Sequence, residues 1–165
     1  ASHQEHQRDR NGHDHGDHER RPDQVHQRES TPGTVGAVMG GDDVAAVREA
    51  NQAFYDAHEA RDLAAMAEVW DHEAGVVCVH PGWPILRGWA DVEESWRRIF
   101  GGPGRNQFIL TNDEVTVAGD VAWVTVDENL VAGALSGTVA ATNVFVRRGG
   151  RWLLTLHHGS PVAPH

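Results

Sequence analysis

The stretch GTVAATNVFVRRGGRWLLTLHHGSP, Gly137 to Pro161, decides how this chain folds. Two apolar, β-branched runs, Thr138–Arg147 and Trp152–His158, flank the turn Arg148-Gly149-Gly150-Arg151. Adjacent glycines accept positive φ without a Cβ clash, so the pair closes a tight hairpin. Upstream, Val121–Val131 reads as a further strand, joined through residues 132–137. Regular pairing would set Glu128 opposite Asn143 and Asn129 opposite Thr142. The closing hairpin would then set Asn143 opposite Leu156, Thr142 opposite His157 and Ala141 opposite His158.

Successive strand residues point to opposite faces, which sorts these side chains into two rows. One row holds Val124, Val126, Glu128, Leu130, Asn143, Phe145, Trp152, Leu154, Leu156 and His158. The other holds Trp123, Thr125, Asp127, Asn129, Thr142, Val144, Val146, Leu153, Thr155 and His157. The first is the more apolar and is assigned to the core. It gathers Glu128, Asn143 and His158 at one end of an apolar wall. Buried polar groups need partners, so this end is either a satisfied hydrogen-bond cluster or the polar end of a ligand cavity. A single bulge would exchange the faces and turn Asn129 and His157 inward instead.

The 165 residues suit one domain preceded by a tail. A net charge of −10 and a pI near 5.5 exclude the basic patch that a nucleic-acid or anionic-membrane partner requires. The single cysteine, Cys78, forms no internal disulfide, and its place in Val76-Val77-Cys78-Val79 marks a buried structural thiol. With no run of eighteen apolar residues and no signal-peptide pattern, a soluble cytoplasmic protein is expected.

Within the tail 1–41, residues 1–30 mix Arg, Asp, Glu, Gln and His with almost no apolar side chain except Val25, too little to offset chain entropy, so they are expected to be disordered, and residues 31–41 form a Gly-rich connector. His13, His15 and His18 alternate with acids but read as a solvated linker rather than a metal site. The ordered domain is expected over 42–161. Val44, Val47, Ala50, Phe54, Ala57 and His58 recur at helical spacing behind Asp42-Asp43. Asp62 is the expected N-cap of a second helix, Leu63–Trp70. Val76–His80 is a short strand running into His80-Pro81-Gly82-Trp83-Pro84, whose prolines fix a rigid turn. A third helix, Trp89 to Phe100, carries Val92, Trp96, Ile99 and Phe100 on its inner stripe, and Phe108–Val117 is the next strand. Helices gathered before a run of antiparallel strands mean α+β, a curved antiparallel or mixed sheet wrapped over three helices.

That order, with Asn51-x-x-Phe54-Tyr55, Asp62-Leu63, His80-Pro81-Gly82-Trp83, Leu86-x-Gly88, Ser95-Trp96 and the closing Asn143–Trp152 and His157–Pro161 segments, resembles the nuclear transport factor 2-like superfamily and within it the SnoaL-like proteins. The last hairpin resembles that of the calcium/calmodulin-dependent kinase association domain. The resemblance covers about Val44 to Pro161 and implies a cone-shaped α+β barrel enclosing a pocket, and a homodimer through the outer sheet face. Superfamily members include ketosteroid isomerase-like isomerases, dehydratases and non-catalytic assembly modules.

In such a cone His80, Glu128 and His158 are the candidate catalytic groups, with Tyr55, Trp83, Trp96 and Asn143 as substrate-binding neighbours. Imidazole titrates near working pH, and Glu128, desolvated among Val126, Leu130 and Phe145, is expected to have a raised pKa. Tyr55 and Asn143 would donate to a developing oxyanion. This set suits proton abstraction beside a carbonyl, in an isomerisation or a dehydration of a small apolar or cyclic carbonyl compound, and requires no cofactor and no metal. The alternative is a non-catalytic ligand-binding or dimerisation module. Ser95 lies on a helix with acids nearby in sequence, which sets a Ser-His nucleophile aside.

Overall fold

The computed structural model describes residues 41–73, 75–132 and 135–163. The His-rich stretch 1–40 lies outside them. Helix α1, Gly41–Ala60, carries Asp42 and Asp43 in its first turn, where acids oppose the helix dipole favourably. Arg61 breaks it in the left-handed region (φ 57°), and its guanidinium bonds the carbonyls of Phe100 and Gly102. Asp62 then caps α2, Leu63–Val69, accepting from the backbone N–H of Ala64 and Ala65 at 3.0 Å each. Strand β1 is Val77–Val79, β2 is the two-residue Leu86–Arg87, and α3 is Trp89–Gly101. Four long strands follow: β3 Gln107–Ala118, β4 Val121–Ala132, β5 Leu135–Arg148 and β6 Arg151–Pro161. Among these, β2 was not legible as a strand.

The sheet runs β2-β1-β6-β5-β4-β3, antiparallel except where β1 lies parallel to β6. Among the described residues it is an open α+β cone wall with β2 and β3 at its edges, not a closed barrel. Phe54, Tyr55, Met66, Trp70, Val92 and Trp96 from the helices pack with Val124, Phe145 and Leu154 from the sheet, each at most 2 % exposed. A buried aromatic removes roughly 150–250 Å² from water, about 4–6 kcal/mol at ~25 cal/mol/Å² before entropy is counted. The aromatic-rich core therefore seats the helices on the sheet.

The two hairpins differ from regular pairing in instructive ways. β4 and β5 extend further toward their turn than expected, so Glu128 faces Val139 and Asn143 faces Val124. That slip is an even number of residues, and both polar side chains stay on the inner face. The closing hairpin starts in the expected register, with Phe145 opposite Leu154. A bulge then inserts Thr155, so that Val144 faces Leu156, Asn143 faces His157 and Thr142 faces His158. One extra residue reverses the alternation beyond it. His157 thereby turns inward at 4 % exposure, while His158 is exposed. Asn129 sits on β4, before the bulge, and stays outside, bonding Ile109 O and Thr138.

Candidate functional site

A cavity of about 180 Å³ lies between the helices and the sheet. α1 supplies Phe54 and His58, the turn after β1 supplies His80, Pro81 and Trp83, and α3 supplies Trp96 and Ile99. Asn106 and Phe108 enter with the start of β3, Glu128 and Leu130 with β4, and His157 with β6. Phe54, His80, Trp96, Glu128 and His157 are buried, whereas Trp83, Asn106 and Leu130 are only half-buried. The polar inner end thus has an aromatic wall and a more open outer half.

Each polar group is held from behind. Tyr55 donates its hydroxyl to Glu128 Oε1 at 2.7 Å. Asn143 donates Nδ2–H to Asn51 Oδ1 at 2.8 Å and to the Tyr55 hydroxyl at 3.2 Å. With its amide donors committed, Asn143 presents Oδ1 to His157 Nδ1 at 2.6 Å, which makes Nδ1–H the donor. Ser95 donates to Val92 O at 2.6 Å and can therefore only accept from His80 Nε2–H, 2.8 Å away. Ser95 is thus an anchor for His80 rather than an activated nucleophile. Gly159 lets this arrangement close: a Cβ there would meet Val139 Cγ1 at 3.0 Å and Pro81 Cγ at 3.1 Å. The absence of a side chain brings the His80-Pro81 turn against β6.

Burial sets the electrostatics. Desolvation pushes Glu128 up to about 7, and the Tyr55 hydrogen bond only partly opposes it. Desolvation pushes His80 down to about 4, and the same cause, aided by repulsion from His80, takes His58 to about 4. His157 falls to about 3 through burial and the neighbouring histidines. Near neutral pH the site holds neutral imidazoles and a carboxyl poised between its two states. Among the described residues no group of three or more His, Cys, Asp or Glu is arranged to hold a metal ion.

Of the expected site residues, His80, Glu128, Trp83 and Trp96 line the cavity. Tyr55 and Asn143 do not: they are buried behind Glu128 and His157, as positioning groups. His158 faces away from the cavity, a correction caused by the Thr155 bulge. His58, His157, Asn106 and Phe108 were not singled out from sequence. For His157 the signal would have been the bulge, weighed only as an alternative; for His58 it was the helical spacing from Phe54 and Tyr55.

A family model described as the SnoaL-like domain matches residues 47–164. A structure from Streptomyces avermitilis, described as a "putative dehydratase" of the nuclear transport factor 2-like family, is 40% identical, with TM-score 0.70 over 74% of this chain and 98% of that one. A "putative" calcium/calmodulin-dependent protein kinase type II association domain from Thiobacillus denitrificans is 36% identical, with TM-score 0.66 over 70% of this chain and 94% of that one. The F-box protein SKIP8 of Arabidopsis thaliana is 30% identical over 115 residues, covering 70% of this chain; the match spans about half of that relative, 49%. No helix among the described residues is long and apolar enough to cross a membrane.

Proposed function

The chain belongs to the SnoaL-like domain family, and from that premise we propose that it is a cofactor-independent lyase that dehydrates a small hydroxy-carbonyl compound, with Glu128 as the proton-transferring group. The observation that carries this reading is a carboxyl at the cavity's inner end whose pKa is raised to about 7. A general base works best when its pKa lies near the operating pH. The Glu128 carboxylate takes the proton from the carbon beside the carbonyl. The resulting carboxylic acid returns that proton to the β-hydroxyl as its C–O bond breaks, releasing water and an enone. His80 and His157, neutral and weakly basic, orient the substrate rather than carry the proton. The Streptomyces avermitilis neighbour supports dehydration over isomerisation by its name. An isomerase would return the proton to carbon instead.

The test is enone formation, followed by ultraviolet absorbance, across a panel of β-hydroxy-ketones. The wild-type rate should rise with pH through about 7 and fall by at least about a hundredfold in Glu128→Gln, the lower end for a lost general base. Equal, negligible rates in both proteins would replace the enzyme with a binding module.

A homodimer through the outer sheet face is proposed with it. Ile109, Val121, Trp123 and Val131 are 59%, 41%, 37% and 45% exposed on that face of β3 and β4. Covering such an area is the usual role of a twofold contact. Native mass spectrometry should show a dimer that Trp123→Glu dissociates; a monomeric wild type would reject it.

A further inference from the structure

The hydrogen-bond directions inside the cavity say more about the ligand than its shape does. His157 Nδ1–H is committed to Asn143, which leaves Nε2 as an unprotonated acceptor. Glu128 Oε1 is committed to Tyr55, and Oε2 makes no hydrogen bond among the described residues. Four buried side-chain nitrogens among these residues lack a partner: the indole Nε1 of Trp70, Trp96 and Trp152, and Arg147 Nη2. His157 Nε2 and Glu128 Oε2 likewise make no hydrogen bond among the described residues. The space that both residues line is this cavity. The remaining His80 nitrogen, Nδ1, lies 3.8 Å from the buried Cys78 sulfur, whose S–H can meet it. Of the wall's donors, Trp96 Nε1 is sealed away from the space, and the neutral His58, with Asn106 Nδ2 3.4 Å from its Nε2, keeps one N–H on Nδ1 on the α1 side.

We infer that this inner end takes its ligand hydroxyl-first, selecting a small neutral alcohol function over a plain ketone or a carboxylate. The inference rests on the dehydratase reading of the same site and adds the order of entry: the leaving hydroxyl sits inward, between Glu128 and His157. With Glu128 ionised, a ketone oxygen placed there would face acceptors only, whereas a hydroxyl gives its one proton to one of them, and a carboxylate would add like charge beside Glu128. Donors belong to the half-buried outer end, where Asn106 and Trp83 can meet the carbonyl. The 180 Å³ volume equals about six water molecules at ~30 Å³ each, which sets the scale of a single small ring.

The experiment is calorimetric binding, at about pH 9 where Glu128 is ionised, of three probes of equal size to the full chain: 3-methylcyclohexanol, 3-methylcyclohexanone and cyclopentanecarboxylate. None has the β-hydroxy-ketone needed for turnover, so binding is read apart from chemistry. One hydrogen bond to a charged or polarised acceptor predicts that the alcohol binds at least about tenfold tighter than the other two. Glu128→Gln, which presents an amide N–H, should erase or reverse that preference. Equal or tighter binding of the ketone would overturn the hydroxyl-first inference while leaving a carbonyl enzyme standing. Tightest binding of the carboxylate would overturn it as well. No binding by any probe would overturn both the inference and the reading beneath it.

Discussion

Replacing Tyr55 by Phe removes one oxygen and tests the electrostatic account of the site. The Tyr55 hydroxyl donates to Glu128 at 2.7 Å, both groups are buried, and this hydrogen bond lowers the Glu128 pKa against the larger upward push of desolvation. A hydrogen bond to a charged group is worth about 1.5–3 kcal/mol, or roughly one to two pKa units at ~1.4 kcal/mol each. The Glu128 midpoint should therefore move from about 7 to about 8–9. A carboxyl with a raised folded pKa is protonated more readily in the folded state, so it costs stability as pH rises from its unfolded value toward its folded one. In the variant that cost grows larger and saturates later. Tyr55→Phe should lose only about 1 kcal/mol near pH 5, where Glu128 is protonated in both proteins. Above pH 9 it should lose about 1.5–3 kcal/mol more. Urea unfolding from pH 5 to 9.5 reads the stability, and carbon NMR of the labelled Glu128 carboxyl reads the midpoint. A midpoint that stays or falls, with a pH-independent stability loss, would refute the account.

The three depressed histidines predict acid lability: neutral in the fold, they take up protons on unfolding between pH 6.5 and about 4. Their stability is present above pH 6.5 and lost on acidification, opposed by the single proton Glu128 releases. The net uptake of about two protons gives a slope near 2.7 kcal/mol per pH unit around pH 5.5, and a flat profile there would contradict their burial. His157→Ala strips the donor from buried Asn143 Oδ1 and leaves a void, for a loss of about 2–4 kcal/mol, whereas His158→Ala should stay within about 0.5 kcal/mol by denaturant unfolding. The reverse ranking would deny the Thr155 bulge. Gly159→Ala forces Pro81 and Val139 to give way and should cost about 1–3 kcal/mol while shifting the His80 ring resonances; unshifted resonances would separate that turn from β6.

How much of this was legible in the chain can be read from single residues. Asp62 as a cap, the Gly149-Gly150 turn, with φ of 54° and 81°, and the inner row Val124, Val126 and Glu128 all follow from local rules. Propensity, capping and alternation act over a few residues, so the chain alone sets the helices and every strand but the two-residue β2, the α+β class, and a desolvated Glu128. The face of His157 and His158 depends on the single inserted Thr155, and a bulge is decided by how β6 settles between β5 and the parallel β1, not by its own residues. Tyr55 serves Glu128 rather than the cavity because α1 lays its hydroxyl between Glu128 and Asn143, which the register sets four residues out of direct opposition. Ser95 meets His80 only because α3 packs beside the β1 turn. Local chemistry determines which residues are polar and inward; long-range packing, which balances every buried partner at once, determines which of their atoms are left free to meet a ligand.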